Sequence, residues 1–449
     1  MTAPVIRRAR APRRLPLVGH AFSFARDPLV FTEAMRSAGD VVKIHLGPQE
    51  LYLVNSPRLV RQILTDATTF VRGLQAERFK IFLGQGLLTA DGEFHLRNRR
   101  LVQPAFHRQR IGGYADVMCE EAQAMVARWA DGKRIAADDD VMEATLRVVG
   151  RTLFSTALGA EVVDEVVRSV PLVLDGIGRR ARDPLGLIGK LPTASNREFN
   201  TAIQRLRDVV DRIVAQYRDS GVDHGDMVSM LLLATDAETG EQLSDEQVRD
   251  EVITMLAAGT ETTANTVAWV LHVLGTRPDL EQRVHAEVDA VVGARPVTLA
   301  DVPNLEVIRR MISESLRLYP QASMLMRMAT EPVVLGETEL PAGSSVLLPL
   351  YAMHRDPAVF TDPTVFDPDR WAPDRVTEVP KPSFVPFGAG RHQCIGEAFA
   401  WTEAAIVLAV IAQGWCLRPV PGEPVRVNSL STLKPSQLPM TTHRRTASP

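Results

Sequence analysis

A lone cysteine in a glycine-punctuated loop constrains this chain more than any other feature. Cys394 sits in Phe387-Gly388-Ala389-Gly390-Arg391-His392-Gln393-Cys394-Ile395-Gly396. The surrounding glycines let the backbone turn tightly, approach a flat partner and aim its N–H groups inward. An apolar helix is expected to begin near Glu397. The partial positive charge at its N-terminus would favour a thiolate, which is also the better metal ligand. Iron is the leading candidate for a metal held this way.

The 449 residues are 45% hydrophobic and 23% charged, ordinary for a globular chain with a large core. No repeat period or low-complexity linker divides them. The expected organisation is a basic flexible tail over residues 1–14, carrying Arg7, Arg8, Arg10, Arg13 and Arg14, and one mostly helical domain over 15–449. Cys119, Cys394 and Cys416 are too few and scattered for a disulfide framework, which fits a reducing cytoplasm. The N-terminal arginines have no apolar stretch behind them, so neither a signal peptide nor a membrane anchor is expected. The longest apolar run, Ala405 to Ala412, falls short of a bilayer span. A net charge of −3 argues against general nucleic-acid binding.

Val41 to Leu46 and Leu51 to Val54 read as a hairpin around Gly47-Pro48. From Ser56 to about Thr276 the apolar spacing is helical, with breaks expected at Pro104, Pro171, Pro184, Pro192 and the Ser220–Asp223 turn. After Pro320, Val333–Gly336 and Ser345–Leu348 are expected to flank a turn at residues 341–343, and Val425–Val427 to add a strand. The longest helix runs from Ser244, with a capping box to Gln247, to about Thr276. It would measure about 45–50 Å. Its middle is apolar on most faces, which predicts burial.

That helix contains Ala258-Gly259-Thr260-Glu261-Thr262-Thr263. A glycine costs a helix about 1 kcal/mol, but it lets a planar group lie against the backbone. Threonine hydroxyls can bond back to carbonyls and open the helix locally. Glu314-Ser315-Leu316-Arg317 places an acid and a base on one helix face, and Phe366-Asp367-Pro368-Asp369-Arg370-Trp371 supplies a later arginine.

The pattern F-x-x-G-x-[HR]-x-C-x-G resembles the haem signature of the cytochrome P450 family, and the order of elements follows that family over nearly the whole chain. One departure is that His392 stands where arginine is usual, with Arg391 just before it. The resemblance implies a mainly helical fold with small β elements, and haem b between the long helix and the cysteine loop, with Cys394 as thiolate ligand of the iron. It implies haem contacts from His95, Arg99, Ala258, Gly259, Arg327, Phe387, Gly388, His392 and Gly396, with His95, Arg99, Arg327 and His392 serving the propionates. Glu261 and Thr262 become the acid–alcohol pair that delivers protons during oxygen activation. Glu314, Arg317 and Arg370 become a structural triad.

Phe79, Phe82, Leu83, Met255, Met324 and Leu325, with Ala258, are the candidate lining of a lipophilic substrate pocket. No arginine stands out as an anchor for a substrate carboxylate. Electrons are expected from a separate ferredoxin and ferredoxin reductase, because no flavin or ferredoxin domain follows Pro449. Arg97, Arg100, Arg108, Arg110 and Arg391 form the expected dock. Leu15 to His20, Arg26-Asp27-Pro28-Leu29, Gly39-Asp40-Val41-Val42 and Leu191-Pro192 with Asn196 to Asn200 resemble actinobacterial members that oxidise sesquiterpenes. The implied activity is oxygen insertion from O2 into an unactivated C–H bond, of the pentalenene type and extending to multi-step oxidation, by a cytoplasmic monomer. A fatty-acid or other lipid hydroxylase, a peroxide-driven peroxygenase and a non-enzymatic haem sensor remain open as alternatives.

Overall fold

A computed structural model of the chain describes residues 15, 18–154, 160–181, 189, 191–428 and 432–445. The basic tail and Pro184 lie outside the described residues. The described chain divides into two compact units, one formed by residues up to 81 with 89–96 and 316–394, the other by 82–88, 97–315 and 395 onward.

The first unit is built on a five-stranded sheet. Val41–Leu46 and Gln49–Val54 form the expected hairpin, with Val41 opposite Val54 and Leu46 opposite Gln49. Ser345–Leu348 runs parallel to the second hairpin strand, and Leu325–Ala329 pairs antiparallel with it. A two-residue strand, Phe70–Val71, closes the other edge. Successive side chains of a strand point to opposite faces. One face accordingly buries Val41, Tyr52, Val54, Val346 and Leu348, and the other buries Val42, Ile44, Leu51, Leu53 and Leu347.

After Pro320 both expected strands form, on either side of the 341–343 turn, and each pairs elsewhere. Val333–Leu335 turns through Gly336 and pairs with Thr338–Leu340, while Ser345–Leu348 joins the large sheet. The reason is local: Gly336 has φ +62°, a left-handed turn conformation natural to glycine. Pairing is complete before the 341–343 turn is reached.

The second unit is helical. Its long helix spans Asp245–Thr276, and the Ser244–Gln247 capping box forms as expected. Such a cap contributes about 1 kcal/mol. Twenty of its residues are buried, including Val267, Ala268, Trp269 and Val270. It packs against Ala137–Leu153, and the indole N–H of Trp269 donates to the Leu433 carbonyl at 2.9 Å. Pro171 does not break the chain: it lies inside a continuous helix, Ala160–Ala181. Tertiary packing of Val166, Val170, Val173 and Leu174 outweighs the lost hydrogen bond. The helix Ala194–Ser220 ends as expected, at Gly221 with φ +61°.

The C-terminal strand falls at Val427–Asn428, paired with Lys434–Pro435, two residues later than Val425. A three-stranded sheet of Arg134–Ala136, Pro439–Arg444 and Trp415–Pro419 completes the unit. The helix Glu397–Gly414 is long and apolar enough to cross a membrane, but 67% of it is buried in the protein. It reads as a core helix.

Candidate active site

In the first unit the cysteine loop closes on itself. The Cys394 N–H donates to the Phe387 carbonyl at 2.9 Å, and the Gly388 N–H donates to Val385 at 3.0 Å. Gly388 and Gly390 have φ of +73° and +70°. A Cβ on Gly390 would lie 2.4 Å from the Leu64 carbonyl oxygen, so only glycine fits there. The outcome is an exposed Cys394. The other two thiols are held differently. Burial pushes Cys119 up to about 11. Cys416 is raised by burial and by Glu281, whose two oxygens are already taken by Arg418 at 2.7 and 2.6 Å. Neither is a thiolate at neutral pH.

Around this loop the unit gathers His95, His392, Asp91 and Arg327. The two imidazoles meet edge to face at 4.4 Å, and His392 Nε2 lies 3.2 Å from Asp91 Oδ1. Burial lowers the His392 imidazole from its ordinary value, so it is neutral at pH 7. A neutral imidazole has one N–H, and here it donates to Asp91. Burial alone would raise the Asp91 carboxyl, but His392 and the N–H groups of Arg72 and Gly92 bring it down to about 2. Arg327 is 7% exposed and donates to its neighbour's carbonyl, Met326 O, at 2.8 Å. Among the described residues no carboxylate is within ion-pair distance of it. Burial lowers its pKa, and Asp91 is the charge that opposes this.

A buried guanidinium without a contacting carboxylate is costly. A ligand bearing carboxylate arms would remove that cost. With an exposed thiol on the loop, the residues of this unit fit an iron tetrapyrrole with propionates.

In the second unit, Ala258 is exposed and Thr262 half-buried on the long helix. The Thr262 hydroxyl donates to the Ala258 carbonyl at 2.9 Å, and Thr260 and Thr266 bond back in the same way at 2.6 and 2.8 Å. Such back-bonds weaken the regular ladder and bend a helix. A Cβ on Gly259 would meet the Val149 side chain at 3.5 Å, an ordinary contact, so the protein itself does not demand glycine there. Glu261 is 2% exposed and pairs with Lys434 Nζ at 3.2 Å. Lys434 also lies 3.8 Å from Asp175. Beside Thr263 and Thr145 stands Glu403, fully buried, whose carboxyl burial raises far above the ordinary range.

The other expected site residues divide. Arg99 follows His95 by one turn on the helix Gly92–Val102, but it belongs to the second unit, as do Gly396 and Glu314. Arg317 and Arg370 belong to the first and share Phe360, at 5.1 and 5.7 Å from its ring. Of the pocket candidates, Met324 and Leu325 each pack against a sheet cluster. Phe79 and Met255 are half-buried, while Phe82 and Leu83 are 6% and 2% exposed. Phe82 meets Phe199 edge-on at 5.3 Å, and the Arg180 guanidinium lies 3.7 Å over Phe199.

The basic patch is smaller than expected. Arg97 is paired with Glu241, and Arg100 with Asp236 at 2.9 Å and Glu238 at 3.2 Å. Arg108, Arg110 and Arg391 stay exposed. Asp91, Lys434 and Glu403 escaped sequence reasoning. Only Asp91, next to a helix-opening glycine, left a local signal.

Glu251 on the long helix is wholly buried, and burial raises its carboxyl from 4.5 to about 7. The raised value means the folded state favours the neutral acid. That contribution is complete below about pH 4.5 and is lost as pH rises through 7. Glu251→Gln, which is never charged, should therefore gain on the native chain as pH rises. The native-minus-variant difference in Tm, measured at pH 5.5 and 8, should move by the equivalent of about 2 kcal/mol. A constant difference would show that Glu251 stays ionised throughout.

A family model described as Cytochrome P450 matches residues 10–441. Cyclooctatin synthase of Streptomyces melanosporofaciens is 44% identical over 96% of this chain and 94% of its own. Cyclooctat-9-en-7-ol 5-monooxygenase of the same organism is 43% identical over the same shares. Pentalenene oxygenase of Streptomyces avermitilis is 37% identical over 94% of each. The crystal structure of the cytochrome P450DA haem domain superposes with a TM-score of 0.88 at 27% identity, over 98% of this chain and 99% of that one. The chain belongs to the cytochrome P450 family, and is a haem-thiolate monooxygenase.

Proposed function

We propose that this protein is a terpene monooxygenase, with Cys394 as the iron ligand, Arg327 and His95 beside the propionates, and Glu261 with Thr262 as the proton-delivering pair. The observation that carries the substrate class is the 37–44% identity, over almost the whole chain, to cyclooctatin synthase and to two oxygenases whose names specify cyclooctat-9-en-7-ol and pentalenene. The apolar side chains Phe79, Phe82, Leu83 and Met255 suit such a hydrocarbon, and the pentalenene type expected from sequence stands beside the cyclooctat-9-en-7-ol type. Haem, when bound through a thiolate, supplies the electron-rich iron that activates O2.

The chain's own residues do the rest. Cys394 supplies the sulfur. Thr262 carries a hydroxyl whose proton is held by the Ala258 carbonyl and can be turned toward an oxygen acceptor. Glu261, ion-paired to Lys434, is the carboxylate that takes up a proton from the ammonium or from water and relays it to replace the one given up. Electrons come from a cytoplasmic ferredoxin and its reductase, docking on Arg108 and Arg110, which are exposed.

The test is a titration of the haem-loaded protein with pentalenene and with cyclooctat-9-en-7-ol, followed by turnover with ferredoxin, reductase and NADPH. A Soret shift and a hydroxylated product from either are expected. No shift and no product from both would overturn the terpene reading. In the same assay Thr262→Ala should bind haem normally and lose about tenfold in product per NADPH, releasing hydrogen peroxide instead, a change of roughly 1.4 kcal/mol in partitioning. Unchanged coupling would remove Thr262 from the mechanism.

A further inference from the structure

Two adjacent carboxylates on the long helix lie outside the proton-delivering machinery. Asp250 and Glu251 are 7% and 0% exposed. Both face the short segment 84–88 that follows the helix Leu74–Leu83. Asp250 Oδ2 accepts from the Gln85 N–H at 2.8 Å. Glu251 Oε2 accepts from the Leu87 N–H at 3.0 Å, while its Oε1 accepts from the Asn98 amide at 3.1 Å. Alternate backbone N–H groups of one loop are thus held by consecutive acids of one helix.

The glycines of the loop fit the same arrangement. Gly84 has φ +60°, and a Cβ there would fall 2.0 Å from the Asp250 carboxylate. At Gly86 a Cβ would fall 2.2 Å from Thr254 Oγ1 and 2.9 Å from the Asp250 carbonyl oxygen. The loop backbone therefore lies directly on the helix, at a separation only glycine allows.

The charges around the pair do not explain it as an ion-pair network. Arg249 is engaged with Asp211 at 3.1 Å and Glu246 at 3.4 Å, and reaches Asp250 only at 4.0 Å. Among the described residues no cation forms an ion pair with Glu251. Burying such a carboxylate is expensive, and the hydrogen bonds from Leu87 and Asn98 are what offset the cost.

We propose that Asp250 and Glu251 are positioning residues for substrate selection, clamping segment 84–88 and thereby fixing Phe82 and Leu83 at its head. The inference rests on the reading above that Phe82 and Leu83 line the pocket. Phe82 is already braced by Phe199 on its other side. A loop held by two hydrogen bonds to a rigid helix leaves the pair little freedom, so ligands are sorted by shape. Loosening the clamp would widen what the site accepts without touching the cysteine loop.

Hydrogen exchange and ligand binding on the haem-loaded protein test it together. In Glu251→Ala the Gln85 and Leu87 amides should exchange about tenfold faster or more. Glu251→Gln should keep native protection, because its amide oxygen still accepts from Leu87 and its NH2 can donate to Asn98 Oδ1, which has no partner among the described residues. The probes are imidazole and 4-phenylimidazole, which bind haem iron whatever the natural substrate is. The ratio of their Kd values should change about tenfold in Glu251→Ala, with imidazole itself altered less than about twofold, and stay native in Glu251→Gln.

Gly86→Ala, which pushes the loop off the helix while leaving both acids in place, should reproduce the alanine result and decides the matter if Glu251→Ala does not fold. Native exchange at both amides, or faster exchange with an unchanged ratio, overturns the proposal. Because neither probe is a terpene, a failure with pentalenene and cyclooctat-9-en-7-ol would strike the substrate reading and leave this one standing.

Discussion

Replacing Cys394 with serine is expected to lower monooxygenase turnover by about a thousandfold, the equivalent of roughly 4 kcal/mol in the barrier. A serine hydroxyl is far less acidic than a thiol and does not give iron the electron density a thiolate gives. The loop should survive the change. Its closure depends on the Cys394 backbone N–H and on Gly388 and Gly390, none of which the substitution alters. Haem content by pyridine haemochrome should therefore fall less than turnover does, while the Soret band of the reduced, carbon-monoxide-bound protein moves away from the thiolate position. Cys416→Ser and Cys119→Ser are the controls. Their thiols are raised by burial rather than exposed on a loop, and both variants should keep the thiolate spectrum. A native spectrum in Cys394→Ser, or its loss in Cys416→Ser, would move the ligand to another sulfur.

The features legible in the sequence were those whose information is contiguous. The cysteine loop is ten residues with three glycines, and the long helix announces its start with Ser244 and Gln247 and its end with Arg277-Pro278. What could not be read was chemistry assembled at long range. Glu261 and Thr262 are adjacent in the chain, but the lysine that pairs with the acid is Lys434, from a two-residue strand with no hydrophobic pattern to mark it. The Leu87–Glu251 hydrogen bond joins residues 164 positions apart and leaves a trace only in two glycines that turn chemistry alone would also explain. The arginine cluster misled for the same reason. Arg97 and Arg100 look like an open basic face until the fold brings Glu241, Asp236 and Glu238 against them. Pro171 misled in the other direction, because burial of one helix face overrode a local rule.

Arg317→Ala should cost about 3–5 kcal/mol, a large part of the roughly 5–15 kcal/mol that holds a folded domain together. Arg317 is wholly buried and donates to three carbonyls, those of His354 at 2.9 Å, Pro363 at 2.7 Å and Val365 at 3.1 Å. Truncation leaves those oxygens without that donor, at about 1–3 kcal/mol for each one left unsatisfied. The damage should also reach the cysteine loop by a short route. His354 is fully buried, and burial with the nearby Arg317 and Arg355 charges pushes its imidazole down to about 3, so it is neutral and its Nε2 accepts from the Val385 N–H at 3.3 Å. Val385 in turn accepts from Gly388, the first glycine of the loop. A shift of His354 therefore releases the turn that presents Cys394. Arg317→Lys keeps the charge but lacks the planar fork that spans several carbonyls, so it should fall between alanine and the native residue. The measurements are the urea midpoint and the ratio of Soret to protein absorbance after purification. Arg317→Ala is expected to yield mostly haem-free protein, with the midpoint lowered in proportion. A native midpoint and full haem content would show that Arg317 is a bystander, and that the cysteine loop is held by its own hydrogen bonds alone.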